Sequence, residues 1–138
     1  MKDISILGAT GSIGTNTLKV VDANQGHFNI KYLTAGSNAK KLIAQAKKYK
    51  PEAVAIANQN KCKLVQAELL DIDVLSGREG ILEIAGRADV DMVVNSIVGP
   101  AGMEPTHRAV KAGVDIALSN KESLVMAGNV IMKKARQQ

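Results

Sequence analysis

Three evenly spaced glycines form the segment of this sequence most suited to chemistry. Gly8, Gly11 and Gly14 lie in the segment GATGSIG, between a short apolar run and an amphipathic stretch. Glycine permits a tight turn from a strand into a helix, and without a Cβ it lets an anion reach backbone N–H groups. The hydroxyls of Thr10 and Ser12 are further donors. The segment therefore predicts a pyrophosphate site built from Gly8, Thr10, Gly11, Ser12, Ile13 and Gly14.

The spacing G-x-x-G-x-x-G differs from G-x-G-x-x-G, the commonest dinucleotide fingerprint. The motif is therefore weakly specific by itself, and a glycine turn that serves only packing is the alternative. The position between a strand-like and a helix-like segment favours phosphate binding.

A second segment, residues 34–41, follows the next apolar run and bears on which dinucleotide would bind. NAD sites usually place an Asp or Glu here to hold the ribose 2′-hydroxyl. This segment has no acid, but it has Gly36, Ser37 and Asn38, with two lysines just beyond them. A carboxylate would repel a 2′-phosphate, so the composition favours NADPH over NADH. Alternatively, Ser37 and Asn38 only cap the next helix. The two roles are compatible because both use the same helix end.

Short apolar runs alternate with longer amphipathic stretches along the whole chain. The pattern predicts strands at 4–7, 28–34, 53–57, 72–75, 92–94 and 115–118. It predicts helices at 12–23, 39–50, 61–70 and 80–85, one with Pro105 in its first turn that ends at 112, and one at 121–136. Residues 99–102 are expected to be a loop, and Gly113 a helix C-cap. Such alternation indicates an α/β fold, a doubly wound and mostly parallel Rossmann-like sheet with helices on both faces, in one domain over residues 1–138.

Composition narrows the class of protein. The chain has 138 residues, of which 46% are hydrophobic and one is a cysteine, so we expect a reducing compartment and a cytoplasmic location. No apolar run approaches the roughly 18 residues of a membrane span. The net charge of +5 comes from scattered lysines, and aromatic residues, on which single-stranded bases stack, make up only 2%. We therefore expect a small anionic ligand, with no nucleic acid and no membrane as partner.

Four segments, taken in order, carry a family resemblance. They are GATGSIG at 8–14, AGSN at 35–38, SIVGPAG at 96–102 and SNKESLV at 119–125. Together they resemble the N-terminal part of the 1-deoxy-D-xylulose 5-phosphate reductoisomerases. The likeness covers the whole chain, and the Asn-Lys-Glu-Ser-Leu-Val sequence is its most specific piece.

The resemblance implies an NADPH-dependent enzyme of non-mevalonate isoprenoid biosynthesis. Such enzymes rearrange 1-deoxy-D-xylulose 5-phosphate to a branched aldehyde and reduce it to 2-C-methyl-D-erythritol 4-phosphate, with magnesium or manganese. It further implies that Thr10 to Ile13 hold the pyrophosphate and that Gly36 to Asn38 hold the adenosine with its 2′-phosphate. Asn120 and Glu122 would line the cofactor site, and Lys121 would reach the phosphorylated sugar.

One position departs from the family pattern, and part of the enzyme is expected outside this chain. Ser37 stands where the family often has a basic residue, so Lys40 or Lys41 would have to supply the cation. The resemblance implies that the metal-binding carboxylates, the catalytic loop and a C-terminal domain follow Gln138. We therefore expect no complete catalytic set and no metal site in this chain, no turnover by it alone, and a homodimer at full length.

The position of the acidic residues and of the 120–122 segment in the predicted elements also indicates what they could do. Asp89 and Asp91 lead into the fifth strand, so we expect them at the amino end of the sheet, away from the cofactor. Asn120, Lys121 and Glu122 open the last helix at the carboxyl end, where a lysine can pair with a phosphate. Alternatively, Glu122 merely favours the helix dipole. The rival functions are a non-catalytic nucleotide-sensing Rossmann module and the cofactor domain of another two-domain reductase, and neither needs the Asn-Lys-Glu segment.

Overall fold

The computed structural model describes residues 1–118 as one sheet with helices packed against it. The strands are β1 Lys2–Leu7, β2 Phe28–Ala35, β3 Ala53–Ile56, β4 Asp73–Ser76, β5 Met92–Asn95 and β6 Asp115–Leu118. The helices are α1 Ser12–Ala23, α2 Ala39–Tyr49, α3 Cys62–Glu68, α4 Gly77–Ala85 and α5 Met103–Lys111, with 3₁₀ turns at Gln59–Lys61 and Gly99–Gly102.

The sheet has the order β4-β3-β2-β1-β5-β6, and all neighbouring strands pair in parallel. From β1 the chain adds strands outward to β4, then returns to the other side of β1 for β5 and β6. The order therefore reverses between β1 and β5. In doubly wound sheets ligands bind outside the carboxyl ends of the strands at this switch point. The predicted α/β, Rossmann-like fold is confirmed.

Helices cover both faces of the sheet, as the sequence predicts. Alternate strand residues point to opposite faces, so Ile4 and Ile6 of β1 join the core beneath α1, α2 and α3. Leu7 joins the second core, beneath α4 and α5. Both cores are almost entirely aliphatic, in agreement with the low aromatic content.

A β-bulge in β2 changes this alternation. Ile4 pairs with Ile30 while the next residue, Ser5, pairs with Tyr32, so Lys31 is the extra residue. The bulge places Ile30 and Leu33, three residues apart, in the same core. Tyr32 between them packs into the opposite core. Nothing in the hydrophobic pattern of β2 predicts this shift.

Most element ends agree with the sequence prediction to within two residues. Lys50 ends α2 in the left-handed region with φ of 51°, and Gly113 follows the last turn of α5 with φ of 78°. However, α4 begins at Gly77 rather than Gly80, and the expected loop at 99–102 is a 3₁₀ turn. The predicted helix at 121–136 lies outside the described residues. No helix within residues 1–118 has both the length and the hydrophobicity needed to cross a membrane.

Candidate functional site

The loop after β1 is held in place by β2. The Gly8 N–H donates to the Thr34 hydroxyl at 3.0 Å, and the Ala9 N–H donates to the Thr34 carbonyl oxygen at 2.8 Å. Gly8 has φ of +74°, and a Cβ there would lie 3.0 Å from the carbonyl carbon of Ser96. Only glycine therefore fits where β1 leaves the sheet. The sequence analysis did not identify Thr34 as a supporting residue.

The other two glycines of the loop have different roles. A Cβ on Gly14 would overlap the Gly8 carbonyl oxygen and lie 2.6 Å from the Cα of Ala9, so Gly14 allows α1 to pack against the loop. Gly11 has an ordinary φ of −74°. Within residues 1–118, a Cβ there would meet only the Gly8 carbonyl oxygen, at an unstrained 3.7 Å. The turn therefore requires glycine at position 8, whereas at position 11 glycine keeps space open above the backbone.

Within residues 1–118, the first backbone donors of α1 have no hydrogen-bond acceptor. The first N–H groups of any helix have no intrahelical acceptor, and the first one paired here is that of Thr15, with the Gly11 carbonyl oxygen at 2.9 Å. Gly11 and Ser12 are exposed, and the first turn of α1 contains no acidic residue. The N–H groups of residues 12–14, together with the helix dipole, are therefore able to receive an anion.

The second predicted segment lies at the start of α2, one strand away. Gly36, Ser37 and Asn38 are all exposed. The Asn38 Oδ1 accepts the Lys41 N–H at 3.1 Å, so the capping role is confirmed for Asn38. The loop after β3 contacts this segment, because the Asn58 N–H donates to the Gly36 carbonyl oxygen at 2.9 Å. The first turn of α2 contains no acidic residue.

A buried asparagine organises the loop on the other side of the switch point. Asn95 ends β5, and its Nδ2 donates to the Gly102 carbonyl oxygen at 2.9 Å and to the Thr106 hydroxyl. Its Oδ1 accepts the Ile97 N–H at 3.1 Å. The Ser96 N–H donates to the Leu7 carbonyl oxygen at 2.8 Å, which brings the 96–102 loop against the start of the glycine loop. The signal for Asn95 in the sequence is a polar residue at the end of a buried strand, and it lies outside the segments predicted above.

The two acidic residues that precede β5, Asp89 and Asp91, lie at the other end of the sheet from these loops. Asp89 accepts the Tyr32 hydroxyl at 2.7 Å and pairs with the Lys31 Nζ at 3.1 Å. Asp91 accepts the Asp3 N–H at 2.7 Å. Their predicted position at the amino end of the sheet is confirmed. Partial desolvation acts to raise the pKa of Asp89, but the hydrogen bonds from Tyr32 and Lys31 outweigh it and lower that pKa.

The remaining residues considered as metal or cofactor ligands are Glu104 and the 120–122 segment. Glu104 at the start of α5 is paired with Arg78 at 3.2 Å and with Arg108 at 3.9 Å. Across residues 1–118, no three His, Cys, Asp or Glu side chains are grouped so that they could hold a metal ion. Asn120, Lys121 and Glu122 lie outside the described residues.

Comparison with known proteins agrees with this arrangement. The family model for 1-deoxy-D-xylulose 5-phosphate reductoisomerase matches residues 4–128. A relative of that name from Chloroherpeton thalassium is 47% identical over 133 residues, which are 95% of this chain and 34% of the relative. One from Porphyromonas gingivalis is 47% identical over 137 residues, 98% of this chain and 36% of the relative. The chain thus spans about a third of the length of the curated relatives it matches.

Solved structures give the same result. A crystal structure of DOX-P reductoisomerase in complex with NADPH, fosmidomycin and magnesium superposes with a TM-score of 0.84 at 39% identity, over 99% of this chain and 34% of that one. The Zymomonas mobilis enzyme in complex with NADPH superposes with a TM-score of 0.82 at 32% identity, over 99% and 36%. With the family model matching most of its length, the chain belongs to the 1-deoxy-D-xylulose 5-phosphate reductoisomerase family.

Proposed function

We propose that this chain binds NADPH across the carboxyl end of its sheet. The pyrophosphate would lie on Gly8 and Thr10 to Gly14, and the adenosine with its 2′-phosphate on Gly36 to Asn38. The observation that carries the proposal is the start of α1, where N–H groups with no acceptor among residues 1–118 lie beside the open space at Gly11. The bound NADPH in the two superposed structures supports the same choice of dinucleotide.

The absence of an acid at residues 34–41 supports NADPH over NADH. A 2′-phosphate would meet the α2 N-terminus, the Ser37 hydroxyl and the exposed Lys40, all of which favour negative charge. Charge-assisted hydrogen bonds of this kind are each stronger than neutral ones. Since Ser37 replaces a residue that is often basic in the family, the lysines at 40 and 41 carry more of the discrimination in this proposal.

The proposed reaction belongs to a protein longer than this chain. In that protein, NADPH would supply hydride for the conversion of 1-deoxy-D-xylulose 5-phosphate to 2-C-methyl-D-erythritol 4-phosphate, an NADP-dependent oxidoreductase activity. Within the chain, Asn120 and Glu122 would complete the cofactor site, and Lys121 would bind the phosphorylated sugar. The divalent cation, magnesium or manganese, would be held by residues other than 1–118. The names of the relatives support this assignment.

The proposal also includes the oligomeric state of the complete protein and its location in the cell. The complete protein would be a cytoplasmic homodimer, and the single cysteine supports a reducing compartment. Membership of a family of enzymes argues against a purely nucleotide-sensing module and against the cofactor domain of another kind of reductase.

The test is titration of the 138-residue chain with NADPH and with NADH, followed by calorimetry or by nicotinamide fluorescence. We expect NADPH to bind at least about tenfold more tightly, because hydrogen bonds to a charged group contribute about 1.5–3 kcal/mol. Equal affinities would contradict the choice of NADPH. In a parallel assay with 1-deoxy-D-xylulose 5-phosphate and magnesium, we expect NADPH oxidation by the longer protein and none by residues 1–138.

A further inference from the structure

Gln45 is a polar side chain on the otherwise apolar inner face of α2. It is only 8% exposed and lies in the same helix as the buried Ala39, Leu42 and Ala46. Its Nε2 donates to the Ala9 carbonyl oxygen at 2.9 Å. Because that acceptor is a carbonyl, the amide must present its NH₂ group to Ala9. Gln45 is therefore linked directly to the glycine loop.

The other polar atom of the Gln45 amide, its oxygen, lowers the stability of the fold. The Gln45 Oε1 is buried and has no hydrogen-bond partner within residues 1–118. A buried acceptor without a partner is destabilising, and an apolar side chain of similar size at this position would avoid it. Packing of α2 therefore does not explain a glutamine here, whereas support of the Ala9 carbonyl does.

The geometry of the peptide bond connects Gln45 to the candidate pyrophosphate site. The described chain has no cis peptide bond, and in a planar trans peptide the C=O and the following N–H point in opposite directions. Since the Ala9 C=O points inward to Gln45, the Thr10 N–H points away from α2. The Ala9 N–H is fixed on its other side by Thr34, so both peptide groups of Ala9 are held.

We propose that Gln45 is a positioning residue for the dinucleotide pyrophosphate. By holding the Ala9 carbonyl it aims the Thr10 N–H at the ligand, although Gln45 itself touches no part of the cofactor. The bond thus links the two halves of the proposed site. Helix α2, whose N-terminus would bind the 2′-phosphate, also fixes the 8–14 loop, which would bind the pyrophosphate. This inference rests on the NADPH site proposed above.

The experiment compares wild-type chain with Gln45→Met, which keeps the volume of the side chain but removes its donor. The probes are NADPH and adenosine 2′-monophosphate, which has the 2′-phosphate but no pyrophosphate. We expect NADPH to bind about tenfold more weakly to the variant, since a misaligned N–H loses a hydrogen bond to a charged group. Affinity for adenosine 2′-monophosphate should be unchanged. Gln66→Met, at an exposed glutamine on α3, is the matched control and should bind both probes like wild type.

The thermal midpoint of Gln45→Met should stay close to wild type, because the variant exchanges one buried acceptor without a partner, the Gln45 Oε1, for another, the Ala9 carbonyl oxygen. A second variant, Gln45→Asn, keeps the amide but is one methylene too short to reach Ala9, and should show the same selective loss. Equal weakening of both probes would indicate a merely structural role, and unchanged NADPH binding would indicate none; either result would overturn the inference. Failure of the wild-type chain to bind NADPH would instead contradict the proposed function, and the inference with it.

Discussion

The two ends of the sheet differ in whether their polar groups are paired with one another. At the carboxyl end, the loops at 8–14 and 36–38 contain exposed residues. The side chains of Thr34 and Gln45 form hydrogen bonds to the backbone of the first of these loops. At the amino end, Lys31, Tyr32 and Asp89 satisfy one another, with the Lys31 Nζ also 3.8 Å from Glu52. Within residues 1–118, the first backbone donors of α1 have no acceptor at the proposed binding end, whereas the Lys31, Tyr32 and Asp89 side chains are paired at the other end.

The amino end is a connected network rather than a set of isolated pairs. The Arg87 guanidinium lies 4.9 Å from the centre of the Tyr32 ring, a cation–π contact. Burial and the hydrogen bond to Asp89 raise the pKa of Tyr32, which extends to higher pH the range over which its hydroxyl is a donor. The hydrogen bond with Asp89 likewise raises the pKa of Lys31. An anionic ligand would meet no free cation among these paired groups.

The largest change in stability should come from a substitution of Gly14, where α1 packs against the glycine loop. Gly14→Ala forces a Cβ against the backbone of Gly8 and Ala9, which has no flexible end to move aside. We expect unfolding free energy, measured by urea titration, to fall by at least about 2 kcal/mol. Gly11→Ala is the matched control and should change stability by less than about 1 kcal/mol. Similar losses in both variants would remove the distinction between the two glycines.

Gly11→Val should separate binding from stability. Its side chain would occupy the space proposed for the pyrophosphate, so we expect NADPH binding to weaken at least about tenfold, or about 1.4 kcal/mol. The urea midpoint should change little, because within residues 1–118 the site around Gly11 is open. A variant that unfolds outright would mean that Gly11 serves mainly the fold.

The smallest effect is expected at the amino end. Because the pKa of Asp89 is lowered in the folded state, its ionised form stabilises the protein above its unfolded pKa, and this contribution disappears as the pH falls through the folded pKa. Asp89→Asn should therefore reduce stability at neutral pH by at most about 1 kcal/mol, since the side chain is half exposed. The difference from wild type should begin to shrink near pH 4, the ordinary pKa of an aspartate, and should disappear only below the lowered folded pKa.

The NADPH affinity of Asp89→Asn should equal that of wild type, and this is the result that tests the contrast between the two ends. Asp71→Asn, at an exposed carboxylate in the turn before β4, is the control for removing one negative charge. A loss of NADPH binding in Asp89→Asn alone would show that the two ends are coupled.

Local patterns were sufficient to predict most of the fold. The bounds of α1 follow from its apolar periodicity and the glycine loop, and the predicted 12–23 is the range found. The β-bulge at Lys31 depends on how β1 and β2 pair across the sheet, which no local pattern of β2 contains. Gln45 was missed for a similar reason: its position on an apolar face was visible, but its partner is 36 residues away.

The candidate site was predicted as a set of segments rather than as contacts. The sequence located the glycine loop and the 36–38 segment, because both depend on residue type next to a strand end. It did not separate the roles of Gly8, Gly11 and Gly14, since these depend on what a Cβ would meet in the folded chain. Asn120, Lys121 and Glu122 remain predictions.

The strand order also determines when this site can form during folding. Asp3 and Asp91 are bonded although 88 residues separate them, and the carbonyl oxygen of Leu7 is paired with the N–H of Ser96. Contacts between such distant residues form slowly, and a ribosome synthesises the chain at about 5–20 residues per second. The glycine loop therefore leaves the ribosome several seconds before β5 can complete its surroundings. Until then, β1 exposes one unpaired strand edge, which is the interval in which a nascent chain would gain most from a chaperone.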